Sequence, residues 1–178
     1  MQNTALDLHK AETLAPFIGR DFLTWLWYFS EVKNGVFHTK DAEAFAVFLE
    51  QRITVLGGEG TSLDTAVSSG PMSELREAKL GLQIGKKVNQ ARIRIEQDEH
   101  AWQMQLKAED FSLTSLKTPK VEMKLEEGED PDARFLEKMY LIEKSLQVLD
   151  ELFAHFLAIR LSADWSRELS AMKTWIMT

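Results

Sequence analysis

The 178-residue chain contains no cysteine and only four prolines. Without cysteine it has no disulfide, no thiolate nucleophile and no cysteine-ligated zinc, which fits the reducing cytoplasm. No apolar run approaches the ~20 residues that a transmembrane helix needs. Charged positions interrupt residues 1–19, so this stretch lacks the continuous apolar core of a signal peptide. We therefore expect a cytoplasmic protein that makes no membrane contact.

Motifs that identify a catalytic centre are also missing. The sequence has no Gly-x-Ser-x-Gly elbow, no zinc-helix motif and no regularly spaced carboxylate cluster. The segment 81–87 has glycines and lysines but lacks the Gly-Lys-Ser/Thr ending of a phosphate-binding loop. The histidines have no partner at a metal-ligand spacing, and they are His9, His38, His100 and His155. We expect a non-enzymatic protein without a cofactor or metal.

Charge is distributed unevenly along the chain. The formal net charge is -7, yet six of the seven charged residues from Arg76 to Arg94 are basic. Seven of the nine charged residues from Glu122 to Glu137 are acidic. Because salt confines the field of each patch to about 10 Å, a basic region can bind phosphates despite an acidic total.

Hydrophobic periodicity predicts a mixture of helices and strands in the first two thirds of the chain. The aromatic block 22–29 is apolar on most sides of a helix, so the helix 20–32 is expected to be buried. Alternation with a period of two predicts a hairpin over 45–68, although 41–48 could instead open as a helix. Further along, the pattern predicts a helix over 72–84, a strong hairpin from strands 88–96 and 102–108, and a short strand containing Leu113 and Leu116.

The last third of the chain is expected to be helical. An acidic loop over 120–131 ends in Pro131, which suits the first position of a helix that runs to about Leu161. Ser162 can cap a last helix that carries Trp165 and Trp175 on one face. The fold class predicted is α+β, with an antiparallel sheet of about four to five strands, a buried N-terminal helix, a connecting helix and a long C-terminal helical hairpin. We divide the chain into a sheet domain (1–119), the acidic loop, and a helical segment (132–178) that packs on the domain or on a partner chain.

A group of basic residues is the candidate binding site. Strand alternation places Arg92 and Arg94 on the polar side of one strand and Lys107 on its neighbour. The remaining candidates are Lys86, Lys87 and Arg52. Together they could contact the phosphates of DNA, or they could be solubilising residues that pair with Glu50 and Glu96. Trp25, Trp27 and Trp102 are expected in the core rather than in base stacking, whereas Trp165 and Trp175 could pack either on the domain or on a second chain.

Several segments, taken in order, resemble the second half of the recombination-associated protein RdgC family. The segments are Gly19-Arg20-Asp21-Phe22-Leu23-Thr24-Trp25-Leu26-Trp27, Gln51-Arg52-Ile53-Thr54-Val55, Glu77-Ala78, Gly85-Lys86-Lys87-Val88 and Phe111-Ser112-Leu113-Thr114-Ser115-Leu116-Lys117. The resemblance implies a non-enzymatic DNA-binding protein of the bacterial nucleoid. It further implies a ring-shaped homodimer that encloses duplex DNA without sequence preference and restrains recombinase loading. The family's N-terminal half has no counterpart in this chain.

Two other functions stay open at this point. A protein-interaction or oligomerisation module would use the apolar seam from Phe135 to Phe156 and the helix with Trp165 and Trp175. An enzyme acting on nucleic acid ranks below it, because no set of acidic metal ligands can be named. The leading hypothesis is non-specific DNA binding by a homo-oligomer.

Overall fold

A computed structural model describes residues 18–57, 64–69, 75–121 and 131–178. These residues form four helices and six strands. The helices are α1 (Ile18–Val32), α2 (Leu75–Gln83), α3 (Pro131–Arg160) and α4 (Trp165–Met177). The strands are β1 (Val36–His38), β2 (Ala44–Gly57), β3 (Asp64–Ser69), β4 (Lys87–Gln97), β5 (His100–Lys107) and β6 (Leu113–Lys117). None of the described helices combines the length and apolar character needed to cross a bilayer.

The strands form one antiparallel sheet in the order β1-β2-β4-β5-β6, with β3 also paired to β2. Strand β2 is 14 residues long and therefore has room for β1 at one end and β3 at the other, while β4 runs along it. Its pairing with β4 shifts register between Glu50 and Ile53. The prediction of an α+β fold with an antiparallel sheet is confirmed.

Helix α1 lies at the centre of the core, as its composition predicts. Every residue from Phe22 to Phe29 is buried. The ring of Trp25 stacks on that of Phe29 with centroids 5.0 Å apart. Its indole Nε1 donates to a carboxylate oxygen of Glu168 in α4 at 3.1 Å. The buried indole N–H of Trp25 therefore has a hydrogen-bond acceptor, as a buried polar group requires.

The two C-terminal helices pack on this core. Phe153 of α3 meets the ring of Phe22 edge-on at 5.0 Å, and Trp175 of α4 meets Trp27 in the same way at 5.3 Å. Of the apolar seam predicted on α3, Phe153 and Phe156 are buried, whereas Leu146 is 43% exposed. Near the start of the helix Phe135 is 62% exposed and Met139 40% exposed.

Some local expectations are wrong. Residues 41–48 do not open a helix, because β2 begins at Ala44. Strand β1 was not predicted, since three residues are too few to show a period. Ser162 is not the cap of α4: that position belongs to Asp164, and the Ser162 hydroxyl donates to the Ile159 carbonyl at 2.9 Å.

Other expectations fall partly outside the described residues. Helix α2 begins at Leu75, and the first residues of the expected helix, 72–74, lie outside the described ranges. Most of the acidic loop, 122–130, lies outside them as well. Helix α3 begins at Pro131, as expected for proline at a first helical position.

Candidate nucleic-acid interface

The described helices pack on one face of the sheet, and none of them packs on the other. Inward residues of the three central strands join the helices in one hydrophobic core, with Val47, Ile93 and Met104 as examples. The intervening residues are half-buried or exposed and form what we call the outer face. Its described members are Ala46, Phe48, Glu50, Thr54, Leu56, Gln90, Arg92, Arg94, Glu96, Ala101, Gln103, Gln105, Lys107, Thr114 and Lys117.

Strand register brings three of the predicted cations onto this face. Arg92 is aligned with Glu50 of β2 on one side and Gln105 of β5 on the other. Lys107 is aligned with Gln90, two positions before Arg92 on β4. Neighbouring strands lie about 4.8 Å apart, and every second residue along one strand is about 7 Å from the last, so these cations share one small polar surface.

Arg94 is the most constrained cation of the outer face. Its guanidinium lies 3.3 Å from Glu50 Oε1 and 2.6 Å from Glu96 Oε1. The hydrogen bond to Glu50 is the main reason that the pKa of Arg94 is raised above its ordinary value. Glu50 also accepts from Gln103 Nε2 at 3.0 Å. The single positive charge of Arg94 is therefore shared between two carboxylates, and these three side chains together carry a formal charge of -1.

Arg92 and Lys107 differ from Arg94 in this respect. Neither forms an ion pair with another described residue at 4.0 Å or less. Arg92 is half-buried between its cross-strand neighbours, and Lys107 is exposed at the end of β5. Lys107 still interacts electrostatically with Asp110, whose pKa is lowered mainly by hydrogen bonds from Ser112 and to a smaller extent by the charge of Lys107.

The structure adds Lys117, which the sequence reading missed. Strand β6 shifts register between the pairs Gln103 with Lys117 and Gln105 with Thr114, next to Ser115 with a φ of 55°. This irregularity sets exposed Lys117 opposite Gln103 on the outer face. A strict alternation drawn from Leu113 would have placed Lys117 on the inner side, so no simple signal in the sequence reveals it.

The lysines at the entry of β4 do not join this cluster. Lys87 Nζ forms an ion pair with Asp21 of α1. Lys86 and Lys87 together line a cavity on the helical side of the sheet. Arg52 lies in β2 opposite Ser69, but its side chain is outside the part of the structure that can be described. Three of the six predicted residues thus share the outer face, and two lie elsewhere.

The described residues contain no group of three or more His, Asp or Glu side chains that could hold a metal ion. The chain matches no protein-family model, no curated protein and no solved structure. The resemblance to the RdgC family therefore stays a prediction.

Proposed function

We propose that this protein is a non-enzymatic, RdgC-like DNA-binding protein that contacts phosphates through the outer face of its sheet, without reading base sequence. The observation that supports this most is the alignment of Arg92 and Lys107 with glutamines on adjacent strands, free of internal ion pairs among the described residues. Cations bind phosphates of any sequence, and amide side chains add hydrogen bonds to phosphate or sugar. A nucleoid location in the cytoplasm follows from this activity.

The charge balance of the face supports weak, salt-sensitive binding by each chain. Its described members include four cations, Arg92, Arg94, Lys107 and Lys117, and two carboxylates, Glu50 and Glu96. Because Arg94 offsets only one of the two carboxylates it contacts, the described members of the face carry a formal net charge of +2, and Arg92, Lys107 and Lys117 are the cations that would contact phosphates. Few phosphate contacts per chain give modest affinity, which a homodimer would increase by presenting two such faces.

A salt titration of DNA binding tests the proposal. Fluorescence anisotropy of labelled duplex and single-stranded DNA, each in two unrelated sequences, should show affinity that falls steeply with salt and little difference between sequences. The double variant Arg92→Glu/Lys107→Glu should bind at least about tenfold more weakly at low salt. The slope of its plot of log affinity against log salt concentration should be smaller by about two, because each lost phosphate contact reduces that slope by ~0.9.

The control variant is Arg167→Glu/Arg76→Glu, which makes the same charge change at exposed positions on α4 and α2. It should bind DNA almost as the wild type does. An equal loss of DNA affinity in both double variants would show that net charge alone explains the loss, and would overturn the proposed interface. Absence of binding to any DNA at low salt would overturn the function itself.

An apolar patch on α3 supports self-association as a second function, alone or together with DNA binding. Phe135, Leu136, Met139 and Tyr140 are 62%, 63%, 40% and 58% exposed. They occupy successive turns, so they form one contiguous surface. Exposed apolar patches of this kind mark interfaces. The occupant we propose is the same helix of a second copy, which would close a two-fold homodimer.

Light scattering of the full chain tests this assembly. The wild type should have twice the mass of one chain, and Phe135→Ser/Leu136→Ser should have the mass of one chain with an unchanged circular dichroism spectrum. Leu161→Ser is the control, because Leu161 is 78% exposed yet stands apart from the patch. A wild type that stays monomeric at the highest concentration measured would contradict the proposal.

A further inference from the structure

A cavity of about 340 Å³ lies on the helical side of the sheet, between α1, α4 and the turn that leads from α2 into β4. This volume falls within the range of about 300–1,000 Å³ typical of small-molecule sites. The residues that line it are Asp21, Thr24, Leu82, Gly85, Lys86, Lys87, Arg160, Trp165, Leu169, Met172, Lys173 and Ile176. The proposed DNA contacts lie on the opposite face of the sheet, so this cavity has no part in them.

The lining is strongly cationic. It contains the four basic residues Lys86, Lys87, Arg160 and Lys173 against a single carboxylate, that of Asp21. Asp21 is buried, and its two oxygens pair with Lys87 Nζ and, at 3.3 Å, with Arg160 Nε. One carboxylate thus holds two cations at the cavity while cancelling only one of their charges.

The positions of the cations are supported by packing. The guanidinium of Arg160 lies 4.8 Å from the centroid of the Trp165 ring. The stem of Lys86 passes close to two glycines: a Cβ built at Gly57 would lie 3.4 Å from Lys86 Cγ, and one at Gly81 would lie 3.6 Å from its Cδ. The Lys86 stem therefore runs close beside the backbone at Gly57 and Gly81, where it begins a cationic side chain at the cavity.

The rest of the wall is apolar and belongs mainly to one face of α4. Leu169, Met172 and Ile176 recur at three- and four-residue spacing, and Leu82 of α2 adds to them. Gln83 Nε2 donates to the carbonyl of Ile176 at 2.9 Å, which ties α2 to the end of α4 beside the cavity. A ligand here would therefore meet both cationic and hydrocarbon side chains.

We propose that this cavity binds a small organic phosphate. Its phosphate would lie among Lys86, Lys87, Lys173 and Arg160, and its apolar body against Leu169, Met172 and Ile176. A phosphate monoester carries close to two negative charges at neutral pH and three strong acceptor oxygens, so it matches a site with an excess of three cations better than a carboxylate does. The apolar wall distinguishes this site from a simple anion patch.

Isothermal titration calorimetry with three probes tests the inference. Phenyl phosphate should bind, inorganic phosphate should bind at least about fivefold more weakly, and phenol should give no measurable heat, because the phosphate and the apolar body each contribute. Lys173→Glu should weaken phenyl phosphate at least about tenfold, which corresponds to about 1.4 kcal/mol. Lys173 is exposed and pairs with no described carboxylate within 4.0 Å, so this variant should remain folded.

Matched controls separate this site from general electrostatics and from DNA binding. Lys138→Glu makes the same charge change at an exposed position near the start of α3, away from the cavity, and should leave phenyl phosphate binding unchanged. The variant Arg92→Glu/Lys107→Glu should also bind phenyl phosphate normally, whether or not the protein binds DNA. The inference is overturned if phenyl phosphate gives no heat at millimolar concentration, if inorganic phosphate binds as tightly, or if Lys138→Glu and Lys173→Glu weaken binding equally. Should Lys173→Glu unfold, Lys173→Gln provides the same comparison with a smaller expected loss.

Discussion

Trp175 Nε1 donates a hydrogen bond of 2.7 Å to Glu31 Oε2, which joins the last helix of the chain to the C-terminal end of α1. The other oxygen of the same carboxylate accepts from Trp27 Nε1 at 2.6 Å. Lys79 of α2 lies 3.7 Å from Glu31 and 4.9 Å from the centroid of the Trp175 ring. One glutamate therefore connects three helices around two buried indoles.

Replacing this glutamate should destabilise the fold. Glu31→Leu leaves the N–H groups of Trp27 and Trp175 without their acceptor, and both indoles are almost completely buried. We expect a loss of about 1–2 kcal/mol in the free energy of unfolding, measured by urea denaturation followed by circular dichroism. Glu143→Leu, at an exposed position of α3, should change this free energy by less than about 0.5 kcal/mol. Equal effects of the two substitutions would show that the indole hydrogen bonds contribute nothing.

Periodicity predicted the inner layer of the sheet because burial acts on every second residue. Ile93 and Ile95 on β4 and Trp102 and Met104 on β5 alternate with polar residues, so the sequence itself records which side faces the core. The aromatic block of α1 similarly predicted a helix buried on several sides. These features depend on local composition, which one sequence shows directly.

The surface on which each lysine side chain lies depends on tertiary contacts, which a local sequence pattern does not show. Lys87 and Arg92 are close in sequence, yet Lys87 pairs with Asp21, which is 66 positions earlier in the chain. The irregularity in β6 similarly moves Lys117 to the outer face. Charge patterning predicted a basic region, but only the packing of α1 and the strand register divide its cations between two surfaces.

Removing a carboxylate from the outer face should strengthen DNA binding if the proposed interface is correct. Glu50→Gln keeps an acceptor for Gln103 and removes one negative charge from the outer face, while Glu96 remains 2.6 Å from the Arg94 guanidinium. We expect affinity at low salt to rise about three- to tenfold, because less negative charge then opposes a phosphate at this face. Fluorescence anisotropy measures this affinity. Glu143→Gln on α3 is the control for net charge, and an equal gain in that variant would argue against DNA binding at the outer face.

Gly19 should not tolerate a side chain, although alanine normally favours a helix. A Cβ at this position would overlap the carbonyl oxygen of Ala108, just beyond the end of β5. Gly19→Ala should therefore force α1 away from the sheet and cost about 1–3 kcal/mol or more in urea unfolding. Gly85→Ala is the comparison: its Cβ meets no atom within 4 Å, and only a φ of +87° opposes it. If Gly19→Ala proves as stable as the wild type, α1 and β5 do not approach this closely.

The pair formed by Glu43 and Lys144 should make part of the stability depend on pH. Lys144 is buried in α3, and its ammonium binds the Glu43 carboxylate beside β2. This hydrogen bond lowers the pKa of Glu43 below its ordinary value of 4.5 and raises the pKa of Lys144. The contribution from Glu43 is complete above its unfolded-state pKa and is lost as the pH falls through the lower folded-state pKa, while Lys144 stays protonated throughout. Thermal unfolding should therefore show Glu43→Gln with a lower Tm than the wild type at about pH 7, and with a much smaller difference at about pH 3. Glu143→Gln should show no such convergence, and a Glu43→Gln difference that stays constant with pH would contradict the pairing.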